Sequence, residues 1–417
     1  MRNDIDKGLF ISKEDRMILR KLAERVAHLA ARPIEEEKKE LWYSHNSLGD
    51  VKPLIFCDPE NGWNEIITKD VLECKGDLAR AWETVLRKEI FWGESMGDDR
   101  VTDSFFNIPY VFTESDWGMH EEIIGGADGG SYRWDAPLKD YKDMDKLHYP
   151  EIHVDYETTD KLYSLAQEIL GDILTVRVKG FWYWTLGLTQ TLVKLRGLEQ
   201  IMYDFYDFPD ELHKLMAFLR DGHIAKLEFL ESNGLLSLNN DNTYVGSGGF
   251  GWTRELPKEG FIPGKVRLCD LWGFAESQET VNISPSMFKE FIFPYQLSIL
   301  KKFGLNCYGC CEPLDNRWDI IKDIPGLRRV SVSPWSNLED MADKLQKNYI
   351  FSMKPNPTYL AVPRIDEDYI RKSLREALRK VRNCRVEIIM KDTHTIGRNP
   401  ENVIRWCKIA QEEAASI

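Results

Sequence analysis

The 417-residue chain lacks any uninterrupted apolar run of about 18 residues, the length a membrane-spanning helix needs. It also lacks a run or stripe of Lys and Arg: 55 basic residues stand against 68 acidic ones, a net charge of −13. Phosphate neutralisation supplies most nucleic-acid affinity, so neither nucleic acid nor membrane is expected as a partner. The opening Met1-Arg2-Asn3-Asp4-Ile5-Asp6-Lys7 has no apolar signal-peptide core, and a cytoplasmic location is expected. Eight cysteines are too few at this length for a disulfide framework. In a reducing compartment the cluster Cys307, Cys310 and Cys311 reads as a metal or catalytic feature, while the scattered cysteines read as small buried hydrophobes. No internal repeat, low-complexity tract or obvious linker interrupts the chain.

What is present is a globular composition, 43% hydrophobic, with 13 Trp that hint at a large apolar pocket. Leu19, Leu22, Val26 and Leu29 are spaced for a helix over 13–40, with Pro33 interrupting it, so residues 1–50 are expected to form a helical extension. Over 51–417, short strand-like runs alternate with helix-period segments. Strands are expected at 54–56, 109–113, 173–178 and 235–238, at the run leading into Cys310, and at 329–333, 349–352 and 386–390. Helices are expected over 189–202, 209–232, 285–303, 316–323, 338–345, 366–381 and 400–413. Alternation on this scale points to the α/β class and a (β/α)₈ (TIM) barrel rather than an open doubly wound sheet, because the unusual residues gather at strand C-termini. Residues 121–155, with Gly125-Gly126-Ala127-Asp128-Gly129-Gly130, and 242–264 read as long loops over the pocket. The second is expected to be a lid; its Gly246-Ser247-Gly248-Gly249-Phe250-Gly251 lacks the Gly-Lys-Ser/Thr ending of a nucleotide loop.

Two stretches carry the chemistry: Cys307-Tyr308-Gly309-Cys310-Cys311-Glu312-Pro313 and Lys391-Asp392-Thr393-His394-Thr395. Cys307-x-x-Cys310 has no second Cys-x-x-Cys to complete a closed structural site. An open zinc site therefore fits better, with Cys310, His394 and one carboxylate as ligands and the fourth position free. Glu276 is expected as that carboxylate because it ends an apolar run ahead of the Cys310 strand; Glu312 and Cys311 are alternatives. Asp392, two residues before His394, would face the same side of an extended strand and orient the imidazole or donate a proton. Asp241, with Asn240 and Asn242, forms a polar cluster at another strand end. Lys354 and Asn356 follow the seventh strand, and Trp182 and Trp184 offer an aromatic wall.

With these strand ends laid out, the chain resembles the uroporphyrinogen decarboxylase superfamily over roughly residues 170–415. The resemblance rests on Leu195-Arg196-Gly197-Leu198-Glu199 with Pro209 to Leu215, on Ile283-Ser284-Pro285-Ser286-Met287-Phe288-Lys289-Glu290-Phe291 with Pro294-Tyr295, on the Cys310 strand, and on Asn399-Pro400-Glu401-Asn402-Val403. The decarboxylases carry an N-terminal Arg-Gln-Ala-Gly-Arg segment that nothing here matches; Cys57-Asp58-Pro59-Glu60-Asn61 ends the first strand instead. The resemblance is therefore closer to the zinc-dependent methyltransferases that serve corrinoid proteins. In that pattern Cys310 matches the first Cys of a His-x-Cys pair, Tyr308 stands where its His would be, and the second Cys falls near Thr393-His394. The resemblance implies methyl transfer from a small methylated compound, such as a phenyl methyl ether, to the cobalt of a corrinoid carried by a partner protein. Zn²⁺ would act as the Lewis acid, and Asp392, Asp241 and Tyr308 would serve in catalysis. Trp182, Trp184, Asn240, Lys354 and Asn356 would hold substrate, and a homodimer is the expected assembly. The rivals are a metal-independent decarboxylase, with Asp58, Asp116 or Asp241 binding a pyrrole-like substrate, and a non-catalytic binding barrel.

Overall fold

The computed structural model describes residues 9–120, 122–125 and 132–416. Helices open the chain: α1 (Lys13–Ala30) and α2 (Pro33–Asn46). Ser12 caps α1 by accepting from the Asp15 N–H, and Pro33 starts α2, where an absent N–H costs nothing. The one helix expected over 13–40 is thus two, divided at Pro33. Leu19, Leu22, Val26 and Leu29 of α1 pack into an apolar cluster with α3 (Asp77–Phe91) and α4 (Tyr156–Leu170), neither of which was expected.

In chain order the strands are β1 (Leu54–Cys57), β2 (Phe105–Ile108), β3 (Phe112–Glu114), β4 (Glu122–Gly125), β5 (Tyr132–Asp135), β6 (Ile152–Val154), β7 (Thr175–Val178), β8 (Trp272–Ala275), β9 (Leu305–Tyr308), β10 (Leu327–Val332), β11 (Ile350–Met353) and β12 (Arg385–Met390). Six form one parallel sheet in the order β1-β12-β11-β10-β9-β8. A parallel pair, β2 with β7, stands apart, as do two antiparallel pairs, β3 with β6 and β4 with β5. The architecture is α/β. Gly126-Ala127-Asp128-Gly129-Gly130, from the first expected loop, lies outside the described residues.

Three expectations change. Residues 235–238 make no ladder; Leu235 instead accepts from Trp182 Nε1 at 2.9 Å and Ser237 Oγ accepts from the Gly180 N–H at 3.0 Å. Of the strand expected over 109–113, only Phe112 and Thr113 lie in a strand, β3, while β2 ends at Ile108, just ahead of Pro109, because proline has no N–H to continue a ladder. The helix expected over 189–202 divides at Gly197, which adopts φ 88° between α5 (Thr189–Arg196) and α6 (Leu198–Asp207).

Side chains alternate across the main sheet. Ile55, Cys57, Ile388 and Met390 pack with Trp406 and Cys407 of the C-terminal helix, while Leu54, Phe56 and Ile389 meet Trp42 and Phe250 on the other face. The segment around 246–250 lies on that second face and is no lid. Gly246, Gly248 and Gly249 have φ of 69°, 126° and 90°. A Cβ on Gly246 would stand 2.8 Å from that of Cys307, one on Gly249 2.9 Å from the Arg329 guanidinium, and one on Gly248 would collide with Ile389. The missing side chains let this backbone cross β9, β10 and β12 at contact distance. Beneath it lies a buried ion pair: Glu387 meets Arg329 at 2.9 Å, His45 at 3.3 Å and Ser352 Oγ at 2.5 Å. Among the described residues, no helix is long and apolar enough to cross a membrane.

Candidate active site

Because the six strands are parallel, they deliver their following residues to one end of the sheet. Glu60 follows β1, Lys391 and Asp392 follow β12, Lys354 follows β11, Cys310 to Glu312 follow β9, and Glu276 follows β8. Gly309, at φ 90°, turns the chain out of β9. Glu312 then staples the turn to β8: its carboxyl accepts from the Cys310 and Ser277 N–H groups, each at 2.9 Å. Ser331 Oγ donates to the Cys310 carbonyl at 2.8 Å. Cys310 is therefore held from β8, β9 and β10 together.

Its thiol meets a charge cluster. Cys310 Sγ lies 3.5 Å from Cys311 Sγ and 3.5 Å from Lys391 Nζ. Cys311 Sγ is 3.3 Å from Asp392 Oδ2, and Lys391 Nζ is 3.0 Å from Asp392 Oδ1. The hydrogen bond from Cys311, aided by the Lys391 ammonium, holds Cys310 below the usual thiol pKa against the burial that opposes ionisation. The same hydrogen bond, with burial, pushes Cys311 up. Burial disfavours the Lys391 charge, but Tyr244, Cys310 and Asp392 outweigh it and raise its pKa. Glu60 and Asp392 both sit at positive φ, 46° and 59°, a strain that persists only where surroundings fix it. Burial raises the Glu60 pKa, with Lys391 opposing.

Glu276 is fully buried. Its carboxyl takes hydrogen bonds from the Gln278 N–H at 2.9 Å and Thr185 Oγ1 at 3.3 Å. Burial, then the charges of Glu279 and Glu312, raise its pKa well above that of an ordinary carboxyl and favour its neutral form. Burial brings Lys354 down to about 8; its ammonium donates to Ser352 Oγ at 2.6 Å.

Beside the cluster is a cavity of about 100 Å³ lined by Trp182, Trp184, Tyr244 and Phe274 among others. Trp182 stacks on Tyr110 with ring centroids 5.3 Å apart, and Trp184 meets Phe274 edge-on at 5.6 Å. Val245 and Phe274, from the lining, share an apolar cluster with Cys310.

Other expected residues have structural partners. Tyr308 points to the helix side, where its hydroxyl donates to Gln296 Oε1 at 2.7 Å. It lies one position from Cys307 on the strand, and the alternation of a strand sends the two to opposite faces. Asp241 is clamped by Lys179 at 2.8 Å and Arg177 at 2.9 Å. Asn240 donates to the Leu256 carbonyl at 2.7 Å, and Asn356 caps a turn by accepting from the Thr358 N–H at 3.0 Å. The residues that sequence reasoning left without a role are Lys391, Glu60 and Tyr244. Lys391 had a readable signal, a charged residue directly after an apolar strand; Tyr244 reaches the cluster only through the glycine-rich crossing.

The expected zinc ligands do not form a donor set. Cys310 faces an ammonium, the Glu276 carboxyl accepts from the Gln278 N–H and Thr185 Oγ1, and His394 is exposed. No three His, Cys, Asp or Glu side chains are arranged to hold a metal ion among the described residues. The chain matches no protein-family model and no curated protein.

Proposed function

We propose that this chain is an enzyme of the uroporphyrinogen decarboxylase type that removes a methyl group from a small methylated compound, such as a phenyl methyl ether, for delivery to a corrinoid protein. The observation that carries the reading is the meeting of Cys310, Lys391 and Asp392 at the C-terminal ends of β9 and β12, with Glu276 at the end of β8. Barrel enzymes keep their chemistry at that end. The sheet is proposed to close as a (β/α)₈ barrel. In support, Asp99 accepts from the Ile55 N–H at the free edge of β1, and Asn239 exchanges hydrogen bonds with Trp272 at the free edge of β8.

Cavity size favours a small substrate. A site of ~150 Å³ is known to take benzene, so one of about 100 Å³ admits a single ring with modest opening. A tetrapyrrole is far too large for it. Trp182, Trp184 and Phe274 would hold an aryl ring and exclude water. Glu276 would give a proton from its carboxyl to the leaving oxygen, a role that requires the raised pKa burial gives it. Asp392 would fix the Lys391 ammonium beside the reacting carbon. The corrinoid, held by its own protein, would supply the final methyl-accepting cobalt nucleophile. No step is assigned to zinc, since Cys310 and Glu276 have other partners and His394 is exposed. Incubating the chain with 2-methoxyphenol and a reduced corrinoid protein tests the reading: catechol should form, and its absence across phenyl ethers, methylamines and methyl thiols would reject it.

A further inference from the structure

Tyr244 belongs both to the wall of the aromatic cavity and to the surroundings of the charge cluster at the strand ends. We propose that its hydroxyl binds the ether oxygen of the substrate, donating a hydrogen bond that turns the methyl-bearing end of the ring toward Lys391 and Asp392. The inference rests on the proposed methyl-transfer function for the identity of the substrate, though not for the binding of an oxygen-bearing ring.

What the cavity wall leaves unpaired points to the ligand. Most of its polar side chains are spent on the protein. Lys179 and Thr243 hydrogen-bond Asp241, with Lys179 Nζ 2.8 Å from each carboxylate oxygen. Asn239 exchanges two hydrogen bonds with the Trp272 backbone, each at 3.0 Å, and Ser237 Oγ accepts from the Gly180 N–H. The hydroxyls of Tyr183 and Tyr244 have no hydrogen-bond partner among the described residues, nor does the indole N–H of Trp184, whose side chain is 37% exposed. Neither hydroxyl is sealed in the protein as the unpaired indole nitrogens of Trp252 and Trp406 are, so each keeps surface open to a ligand. The described wall holds no carboxylate to balance an ammonium, whereas a hydroxyl donor suits an ether oxygen.

Position selects Tyr244 from these groups. No charge acts on Tyr183, while Tyr244 feels Lys391, Asp58, Glu60 and Cys310, which follow β12, β1 and β9. Its backbone is fixed in the glycine-rich crossing, where Tyr244 bridges Phe250 and the Val245 N–H donates to the Gly249 carbonyl at 3.1 Å. Its ring meets Phe56 of β1 edge-on, with centroids 5.9 Å apart. Burial raises its pKa well above that of an ordinary phenol, with Lys391 opposing, so the hydroxyl keeps its proton and acts as a donor. One placed donor in an aromatic wall fixes how a ring lies.

Titration calorimetry of the whole chain with methoxybenzene and with ethylbenzene tests this without turnover. The two differ by an ether oxygen in place of a CH₂, and an apolar cavity alone would hold the more hydrophobic ethylbenzene more tightly. Wild type should bind methoxybenzene at least as tightly. Tyr244→Phe should shift the affinity ratio toward ethylbenzene by about 3- to 10-fold, the worth of one neutral hydrogen bond, while ethylbenzene still binds. Tyr183→Phe should leave the ratio in place. A wild type that prefers ethylbenzene, or binds neither ligand, overturns the proposal without need of any variant. An unchanged ratio in Tyr244→Phe, or a shift confined to Tyr183→Phe, also overturns it; if Tyr244→Phe loses both ligands through misfolding, the wild-type ratio decides. Turnover separates the inference from the function it rests on. With 2-methoxyphenol and a reduced corrinoid protein, Tyr244→Phe should form catechol more slowly than wild type. Equal kcat and KM in the two proteins overturn the inference and leave the proposed function standing. No catechol from wild type rejects that function, and the affinity ratio alone then decides whether Tyr244 holds an oxygen-bearing ring.

Discussion

Glu387→Gln should destabilise the fold by about 3 kcal/mol. Glu387 is fully buried on β12, four positions before Lys391 at the strand's reacting end. Burial alone would raise its pKa, but Arg329, His45 and Lys354 outweigh burial and bring it from 4.5 to about 2. At about 1.4 kcal/mol per pH unit, that fall is worth roughly 3 kcal/mol. Breaking one side of a buried ion pair costs about 3–5 kcal/mol by an independent route. Glutamine keeps the shape and leaves the Arg329 guanidinium unpaired in the sheet interior. Unfolding entropy of ~2.1 cal/mol/K per residue gives about 0.9 kcal/mol/K over the chain, so the melting temperature should drop by about 3–4 °C. The pH sign is fixed: a depressed carboxyl pKa stabilises above the unfolded value near 4.5 and loses that stabilisation as pH falls towards 2. The gap between wild type and Glu387→Gln should therefore narrow to about 1 kcal/mol at pH 3. Thermal unfolding by calorimetry at pH 7 and pH 3 reads both numbers. A drop under about 1 °C at pH 7, or a gap that does not change with pH, would refute the reasoning.

Asp392→Asn keeps the size but releases Lys391, and should slow methyl transfer by about 10²-fold or more while the circular dichroism spectrum stays unchanged. Glu276→Gln should slow turnover of phenyl ethers by a similar factor and remove the alkaline limb of the wild-type profile, because activity requiring the neutral acid is lost as pH rises through a raised pKa. His394→Ala should alter turnover by less than about threefold, since the side chain is exposed; joint loss of activity and of zinc, read by elemental analysis of chain purified without chelator, would return His394 to a metal site.

The regular part of the fold was legible because its signals are local. β1, β7, β10, β11 and β12 are short apolar runs bounded by turn residues, and Pro209–Ser232 and Glu367–Lys380 show helical spacing with clear starts. β8 escaped because Trp272-Gly273-Phe274-Ala275 has neither β-branched residues nor alternation; its partners on β9, not its own propensity, make it a strand. The stretch with glycines at 246, 248 and 249 read as a lid, but glycine also serves where backbone must cross a sheet closely, and spacing alone does not separate those uses. The strand ends that carry Cys310 and Asp392 were readable, and Glu276 was found only as the end of an apolar run. Which of them meet was not readable, because side-chain direction depends on register: Tyr308 turned to the helices, and Lys391 rather than His394 reached the thiol.

The most direct test of the account is a single comparison of wild type with Cys310→Ala. Each is mixed with 2-methoxyphenol and a reduced corrinoid protein, and cobalt absorbance is followed as catechol is quantified. Wild type should methylate the corrinoid with one catechol formed per methyl transferred, and Cys310→Ala should lose the reaction while keeping its fold. Equal rates in the two proteins would contradict the central claim, as would a wild type that transfers no methyl from any phenyl ether, methylamine or methyl thiol yet decarboxylates a porphyrinogen.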